Sequence, residues 1–417
     1  MEAKLIGKID ISAACGGKGY LGDLDSDGRM EVVFAEGDGD IDDRYTPHKI
    51  EHIVAYRLTG EIMWERGETP EKIGGFGSDF PIQLYDIDND GHLEVLCVMK
   101  DKFLVLNGMT GEVKREFSLP HPDAHDCILI ANLRGLKHAE DIILKDRYFN
   151  MWALDSCFNL LWTHKGNLGH FPLVYDYNHD GYDEVMAGYD MLSHDGQVMW
   201  SCKDLSDHAD CLWVGDVRGN KETEIVVGGS VTCLYDVKGN EIWRYLDTIE
   251  SQHVALGHFI KGEKGLQIAG LDRIRRGDGY KGEWDGHDGM FLIDNLGHTI
   301  WKEDRKTKGW LTIVDSYSNW NGEGNDYILA YRRGGGVMPG LYNTEGEQVI
   351  TFPHDGYVLH ADLFGRGIED AIVYDRDTAY IFSGTEYDLK SAPSGKALKQ
   401  TRRLYSQTLY PGEVYGE

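Results

Sequence analysis

The chain has 417 residues, 42 of them basic and 70 acidic, for a formal charge of −28. That balance excludes a general nucleic-acid binder, which draws its affinity from clustered Lys and Arg set against phosphates. A hydrophobic share of 41% excludes wholesale disorder, and 52 glycines against 10 prolines imply many tight turns. No run approaches the roughly 18 apolar residues of a membrane span, and the opening MEAKLIGKIDISAAC lacks the layout of a secretory signal. A cytoplasmic protein is therefore expected. The seven cysteines form no CxxC pair, and several sit in apolar runs such as EVLCVM and HDCILI. Buried thiols in a reducing compartment are expected, rather than a disulfide framework or a zinc site.

Along the chain one unit recurs: a short apolar strand, an acidic or Gly turn, a second apolar strand, then a hairpin of the type "apolar, x-G-x, apolar, Trp". The first copy reads GYLGDLDSDGRMEVVFAEG and HIVAYRLTGEIMWERG. The residues opening the first turn are Asp23, Asp86, Asn132, Asp176, Asp216, His258, Tyr317 and Asp362. The hairpin recurs independently as LTGEIMW, MTGEVKR, CFNLLW, HDGQVMW, VKGNEIW, NLGHTIW and TEGEQVI, with a weaker copy at FSGTEYDL. Four strands of about five residues per unit, repeating every 40 to 45 residues or so, predict an all-β chain. The architecture expected is a β-propeller, with eight blades favoured over seven, forming one domain over residues 1–417. The fourth strand of the last blade comes either from AKLIGKI at the start or from residues after 385. Long loops fall at about 37–50 and 274–289.

Strands alternate in direction within a blade, so the connections sort onto two faces. One carries the turns DLDSDGRME, DIDNDGHLE and DYNHDGYDE. Alternate oxygen ligands, a turn glycine and a later carboxylate can wrap a hard cation such as calcium. The candidate metal ligands are Asp23, Asp25, Asp27 and Glu31; Asp86, Asp88, Asp90 and Glu94; and Asp176, Asn178, Asp180 and Glu184. Any calcium here is structural, and the same turns can instead satisfy their own backbone amides.

The opposite face collects Asp79, His125, His170, His208, Gln252, His253, Trp310 and Tyr357 from the connections between units. It also collects Lys145, Arg147, Tyr148, Tyr189, Asp190, Asp272, Arg273, Arg275, Arg276, Arg332, Arg333 and Arg376 from those within them. In an acidic protein such gathered arginine suggests recognition of a carboxylate or phosphate, which guanidinium matches in bidentate geometry. With His and Tyr beside it, the fitting chemistry is β-elimination from a uronate. Arginine neutralises the carboxylate, a neutral His removes the C5 proton, and Tyr148 or a second His protonates the leaving oxygen. The candidate catalytic residues are His125, His170, His208, His253 and Tyr148. The candidate substrate contacts are Lys145, Arg147, Tyr189, Gln252, Arg273, Arg276, Trp310, Arg333 and Tyr357. Hydrolysis would need two carboxylates across the bond, and Asp79, Asp190 and Asp272 are available for it.

The DxDxDGxxE turns, the unit count and the segment QHVALGHFIKGEKGLQIAGLDR resemble the catalytic propeller of the rhamnogalacturonan lyases. The resemblance implies β-elimination at rhamnose–uronate linkages, with calcium bound in the propeller. The chain is shorter and shows no obvious accessory domain, so an intracellular enzyme acting on imported, uronate-containing oligosaccharides is expected, with no nucleic-acid or membrane partner. Two other readings stay open: a glycoside hydrolase on the same scaffold, and a non-catalytic, calcium-dependent glycan-binding propeller. A PQQ-type dehydrogenase would carry a Trp-docking hairpin in every unit, which fails in units two and seven.

Overall fold

The computed structural model of the chain describes residues 1–14, 16–72, 79–275, 287–305, 311–332, 335–406 and 412–416. Apart from a single 3-10 turn at Ser12–Ala14, the regular elements among these residues are strands, as expected of an all-β chain. No helix among them is long and apolar enough to cross a membrane. The strands run in antiparallel quartets. Lys18–Gly22, Glu31–Gly37, Ile50–Tyr56 and Ile62–Gly67 form the first, and Ile82–Tyr85, Glu94–Met99, Lys102–Asn107 and Val113–Ser118 the second. One parallel pairing, Ile50 with Met99, fuses these two into a nine-stranded sheet with a short C-terminal strand. Six further four-stranded sheets follow. The last takes three strands from Tyr357–Ala361, Asp370–Tyr374 and Thr378–Ser383, and its fourth from Lys4–Asp10 at the start of the chain. The register runs from Lys4 opposite Ser383 to Asp10 opposite Thr378. Of the two expected sources for that strand, the N-terminal one supplies it.

Among the described residues, the outer strand is the most exposed of each quartet. Lys18–Gly22 and Ile82–Tyr85 are buried throughout, whereas Val113–Ser118 and Leu160–Lys165 alternate or are exposed. The apolar cores lie between consecutive quartets. Ile130, Ile142 and Leu144 pack on Leu96, Val98 and Phe103, and Ile372 and Ile381 of the last quartet pack on Val32 and Phe34 of the first. A row of sheets whose last member packs on its first is a closed, propeller-like ring, which removes sheet edges at the ends of the row.

The hairpin motif explains how neighbouring quartets lock. The Trp indole of one outer strand donates its N–H to a hairpin carbonyl of the next quartet: Trp64 to Gly108 at 2.7 Å, Trp162 to His194 at 2.9 Å, Trp200 to Val237 at 3.0 Å and Trp301 to Thr344 at 2.8 Å. In the second quartet Arg115 takes this role, donating to Ser156 O at 3.0 Å. Each ring also covers the hairpin glycine. Gly239 sits at φ +82, and a Cβ there would lie 2.5 Å from Trp200 Cδ2. Gly239→Ala should therefore cost about 1–3 kcal/mol, from left-handed strain plus displacement of the ring. An unchanged denaturation midpoint would show that this contact does not hold the two quartets together.

Beyond Ser383 the chain does something the repeat did not announce. Arg29 donates to Leu389 O at 3.1 Å, and Leu398 N donates to Asp23 Oδ2 at 2.8 Å. Tyr405–Ser406 then pairs antiparallel with Leu21 and Tyr20 of the first quartet. Farther on, Val214 of the fifth quartet donates to Glu413 O at 2.9 Å and accepts from Tyr415 N at 2.7 Å. This segment and inner-strand residues of several quartets, among them Gln83, Ile130, Val174, Trp213, Asp315 and His360, enclose one central cavity of about 110 Å³. The segment thus occupies the axial channel.

Candidate active site

Asp23, Asp86, Asp176 and Asp216 each follow the last residue of an inner strand, whereas His125, His170, His208 and His253 each precede the first. The topology therefore puts the Asp turns and the histidines at opposite ends of the channel, as the face map requires.

At the histidine end the structure brings three of the expected rings together. His170 and His208 lie with ring centroids 4.7 Å apart, and Tyr148 stands 5.4 and 5.2 Å from them. The two Nε2 atoms are 2.9 Å apart, and each is 3.7 Å from Asp210 Oδ1. These three residues could hold a metal ion, and the two imidazoles can equally share a proton. His170 is buried, and burial followed by the nearby charges of Arg147, His208, Lys145 and His253 holds its imidazole well below the ordinary range. His208 is a quarter exposed and donates from Nδ1 to Asp207 Oδ1 at 2.6 Å, which leaves Nε2 facing His170.

Arg147 approaches from the neighbouring quartet, its guanidinium 5.0 Å from the Tyr148 ring centre. It donates to Asp126 Oδ1 at 3.1 Å, and Lys145 Nζ donates to Asp126 Oδ2 at 2.5 Å and to Arg147 O at 2.9 Å. Lys145 and Asp126 are fully buried. Lys145 therefore stands behind Arg147 as its support, and the expectation that it touches substrate directly is corrected on that ground. Burial raises the Tyr148 phenol above its usual range, keeping it protonated as an acid must be.

The other expected residues are dispersed. His125 is buried and donates from Nδ1 to His48 O at 3.0 Å, a bond that anchors the 37–50 loop. His253 is buried at the start of its inner strand, where its carbonyl accepts from Leu271 N at 2.9 Å. Gln252 and Arg273 bond one another, and Arg273 reaches Glu250 at 3.4 Å. Tyr189 is buried and donates to Ser206 O at 3.2 Å. Tyr357 lines a separate open groove with Asp355, Tyr374, Asp375 and Arg376. Arg276, Trp310 and Arg333 lie outside the described residues, as does most of the 274–289 loop. Of the carboxylates kept for hydrolysis, Asp272 is buried and accepts from Ile249 N and Glu250 N, while Asp190 accepts from Ser201 Oγ at 2.6 Å and lies 3.4 Å from His164. Sequence reasoning missed Asp210 and Asp126. A signal existed for the first, because Asp210 is two residues from His208 in an extended segment, a spacing that returns a side chain to the same side.

At the opposite end the three Asp turns share one geometry. Ser26, Asn89 and His179 are left-handed at φ 59, 57 and 61, and Gly28, Gly91 and Gly181 follow at φ 94, 91 and 90. Asp23, Asp86 and Asp176 each accept from two amides of their own turn. What differs is the cation. Arg57 lies 2.5 Å from Asp25, 4.0 Å from Asp27 and 3.8 Å from Glu31. Lys114 lies 2.8, 3.0 and 2.6 Å from Asp88, Asp90 and Glu94. Among the described residues no Lys or Arg is ion-paired with Asp176, Asp180 or Glu184; instead Asn178 donates to Glu184 at 2.7 Å. Burial, then the Asp180 charge, raises Glu184 to about 7, and burial with the charge of Asp25 raises Glu31 to about 9. Such crowding of acids favours a bound cation. The oxygens of Asp23, Asp25 and Asp27, and of Asp86, Asp88 and Glu94, are close enough to share one.

An all-β, propeller-like ring with its polar cluster at the end of the inner strands is the class this geometry defines. No family model matches the chain, and no curated protein does. Solved structures do. An exotype rhamnogalacturonan lyase, YesX, superposes with a TM-score of 0.72 at 19% identity, over 96% of this chain and 77% of that one. The Bacillus licheniformis rhamnogalacturonan lyase PL11 gives 0.61 at 16% identity over 96% and 77%, and rhamnogalacturonan lyase YesW gives 0.58 at 17% over 88% and 72%. The chain shares its fold with the rhamnogalacturonan lyases.

Proposed function

We propose that the chain is a polysaccharide or oligosaccharide lyase that cleaves a rhamnose–uronic acid linkage by β-elimination, acting inside the cell on imported oligosaccharides. We also read its six four-stranded sheets and the two halves of the nine-stranded one as eight blades. The observation that carries the activity is the convergence of His170, His208, Tyr148 and Arg147 at one end of the channel, on a fold shared with the rhamnogalacturonan lyases. Arg147 faces the uronate carboxylate and makes the C5 proton more acidic. His208 Nε2 takes that proton, the C4–O bond breaks as the C4–C5 double bond forms, and Tyr148 gives its proton to the leaving oxygen. Hydrolysis is less well served, because Asp272 and Asp190 are already committed to other groups and Asp79 is buried beside Lys18.

The test is product chemistry on rhamnose–uronate oligosaccharides. Elimination gives a conjugated double bond seen by ultraviolet absorbance and no label from heavy-oxygen water. Label at the cleaved carbon would replace the lyase by a hydrolase, and tight binding without cleavage would make the chain a glycan-binding module.

Calcium belongs to this reading as a structural ion, with the turn of Asp176, Asn178, Asp180 and Glu184 as its first candidate, since among the described residues no Lys or Arg is ion-paired with those acids. Chelation should then lower the melting temperature, because a ligand held only by the folded state stabilises it by mass action. Asp180→Ala should abolish that sensitivity. A melting curve unmoved by chelator, with no metal on elemental analysis, would leave the turns satisfied by their own amides, Arg57 and Lys114.

A further inference from the structure

The ring closes without the C-terminal segment: Lys4–Asp10 completes the last quartet, and the core of the last quartet packs on the first. The inner strands nevertheless present edges to the channel, and an unpaired strand edge is a template for another chain. Residues 395–406 and 412–416 use it twice, on different sides of the axis. Tyr405–Ser406 adds antiparallel to the inner strand of the first quartet, and Val414 pairs parallel with Val214 in the fifth. Arg402 is ion-paired with Asp183 and gives its carbonyl to Gln83 Nε2 at 3.2 Å, and Tyr415 Oη donates to Asp326 at 2.5 Å. Residues 391–394 just before it are exposed.

We infer that the axial channel is a binding site for an extended peptide, filled in cis by residues 395–406 and 412–416 of this chain, which strap opposite walls together at the Asp-turn end. The segment carries charge inward. Arg403 and Glu413 pair with one another beside Asp315, His360, Glu369 and the Tyr405 phenol. His360 is itself held by Glu369 at 2.9 Å and Asp315 at 3.3 Å, contacts that belong to the wall and survive release of the segment. Glu413 does not share that position. Burial, against the pull of Arg403, raises its carboxyl from 4.5 to about 7 when seated. The seated state therefore favours the protonated acid. Seating is strongest below about pH 4.5 and weakens on the order of 10²-fold as pH rises to about 7, staying flat above.

The experiment keeps the full chain. A specific protease site is placed at Ala392–Ser394, the folded protein is cut, and the fragment is followed by native mass spectrometry and gel filtration. The fragment should remain bound, exchange with a labelled synthetic 395–416 peptide, and leave more readily at pH 8 than at pH 5; Glu413→Gln should remove that pH dependence. Arg402→Gln should loosen retention about tenfold or more while the uncut protein melts as a folded ring. Amide exchange at Tyr20, Leu21 and Val214 should rise on release. A fragment that departs at once, with no change in exchange or melting, would overturn the inference. So would collapse of the ring on release, since the segment would then be a part of the core and the channel no receptor.

Discussion

Replacing His208 with Ala should lower turnover of a rhamnose–uronate substrate by roughly 10²- to 10⁴-fold, the range for loss of a positioned general base, while the melting temperature stays close to that of the parent protein. The expectation rests on three features. His208 is a quarter exposed, so its ring is within reach of a ligand entering the channel; Asp207 fixes the tautomer from Nδ1; and Nε2 points toward His170 and Asp210. His170→Ala should also be severe, but its ring is buried against Tyr148 and His208, so part of its effect will be on stability. His125→Ala makes the contrast. Its ring serves the His48 carbonyl, so the loss should fall on stability and leave the ratio of turnover to folded protein nearly unchanged. Full turnover in the His208 variant, measured by formation of the unsaturated product, would reject this cluster as the catalytic centre.

The largest stability effect is expected at a residue that makes no contact with substrate. Asp126 is fully buried and holds two cations, Lys145 at 2.5 Å and Arg147 at 3.1 Å, themselves buried. Asp126→Ala leaves both without this shared carboxylate in a low-dielectric site. Breaking a buried pair by removing one partner typically costs 3–5 kcal/mol, and about that loss is expected in denaturant titration. Lys145→Met should cost less, because Asp126 keeps Arg147 and the methionine fills the volume of the aliphatic stem. If both variants are equally mild, the Asp126 network does not anchor this part of the ring. Because Arg147 precedes Tyr148, the Asp126 variant should also weaken substrate binding at temperatures where it remains folded.

What the sequence by itself determined is what is written within some ten residues of chain. The Asp-rich turns carry their own instructions: a carboxylate to accept turn amides, a residue that goes left-handed and a glycine after it, so their shape and face were legible without any partner. The hairpins likewise announced a glycine and a Trp in most units, and these set the repeat, the all-β class and the separation of Asp turns from histidines. Convergence is a different matter. His125, His170, His208 and His253 stand at equivalent positions, yet His170 and His208 meet ring to ring while His125 turns to the His48 carbonyl, because whether rings at the ends of neighbouring strands touch depends on rotamer and on what else fills the rim. Lys145 looked like a ligand contact, and the tertiary structure turned it inward because Asp126, 19 residues away, lies beneath it. Arg57 and Lys114 reach acids 20 to 32 residues earlier, a pairing no local pattern encodes. The C-terminal segment is the extreme case. Its partners are separated from it by up to 386 residues, its own sequence repeats none of the strand and hairpin pattern of the units, and its place in the channel exists only once the ring has closed around an axis lined with strand edges.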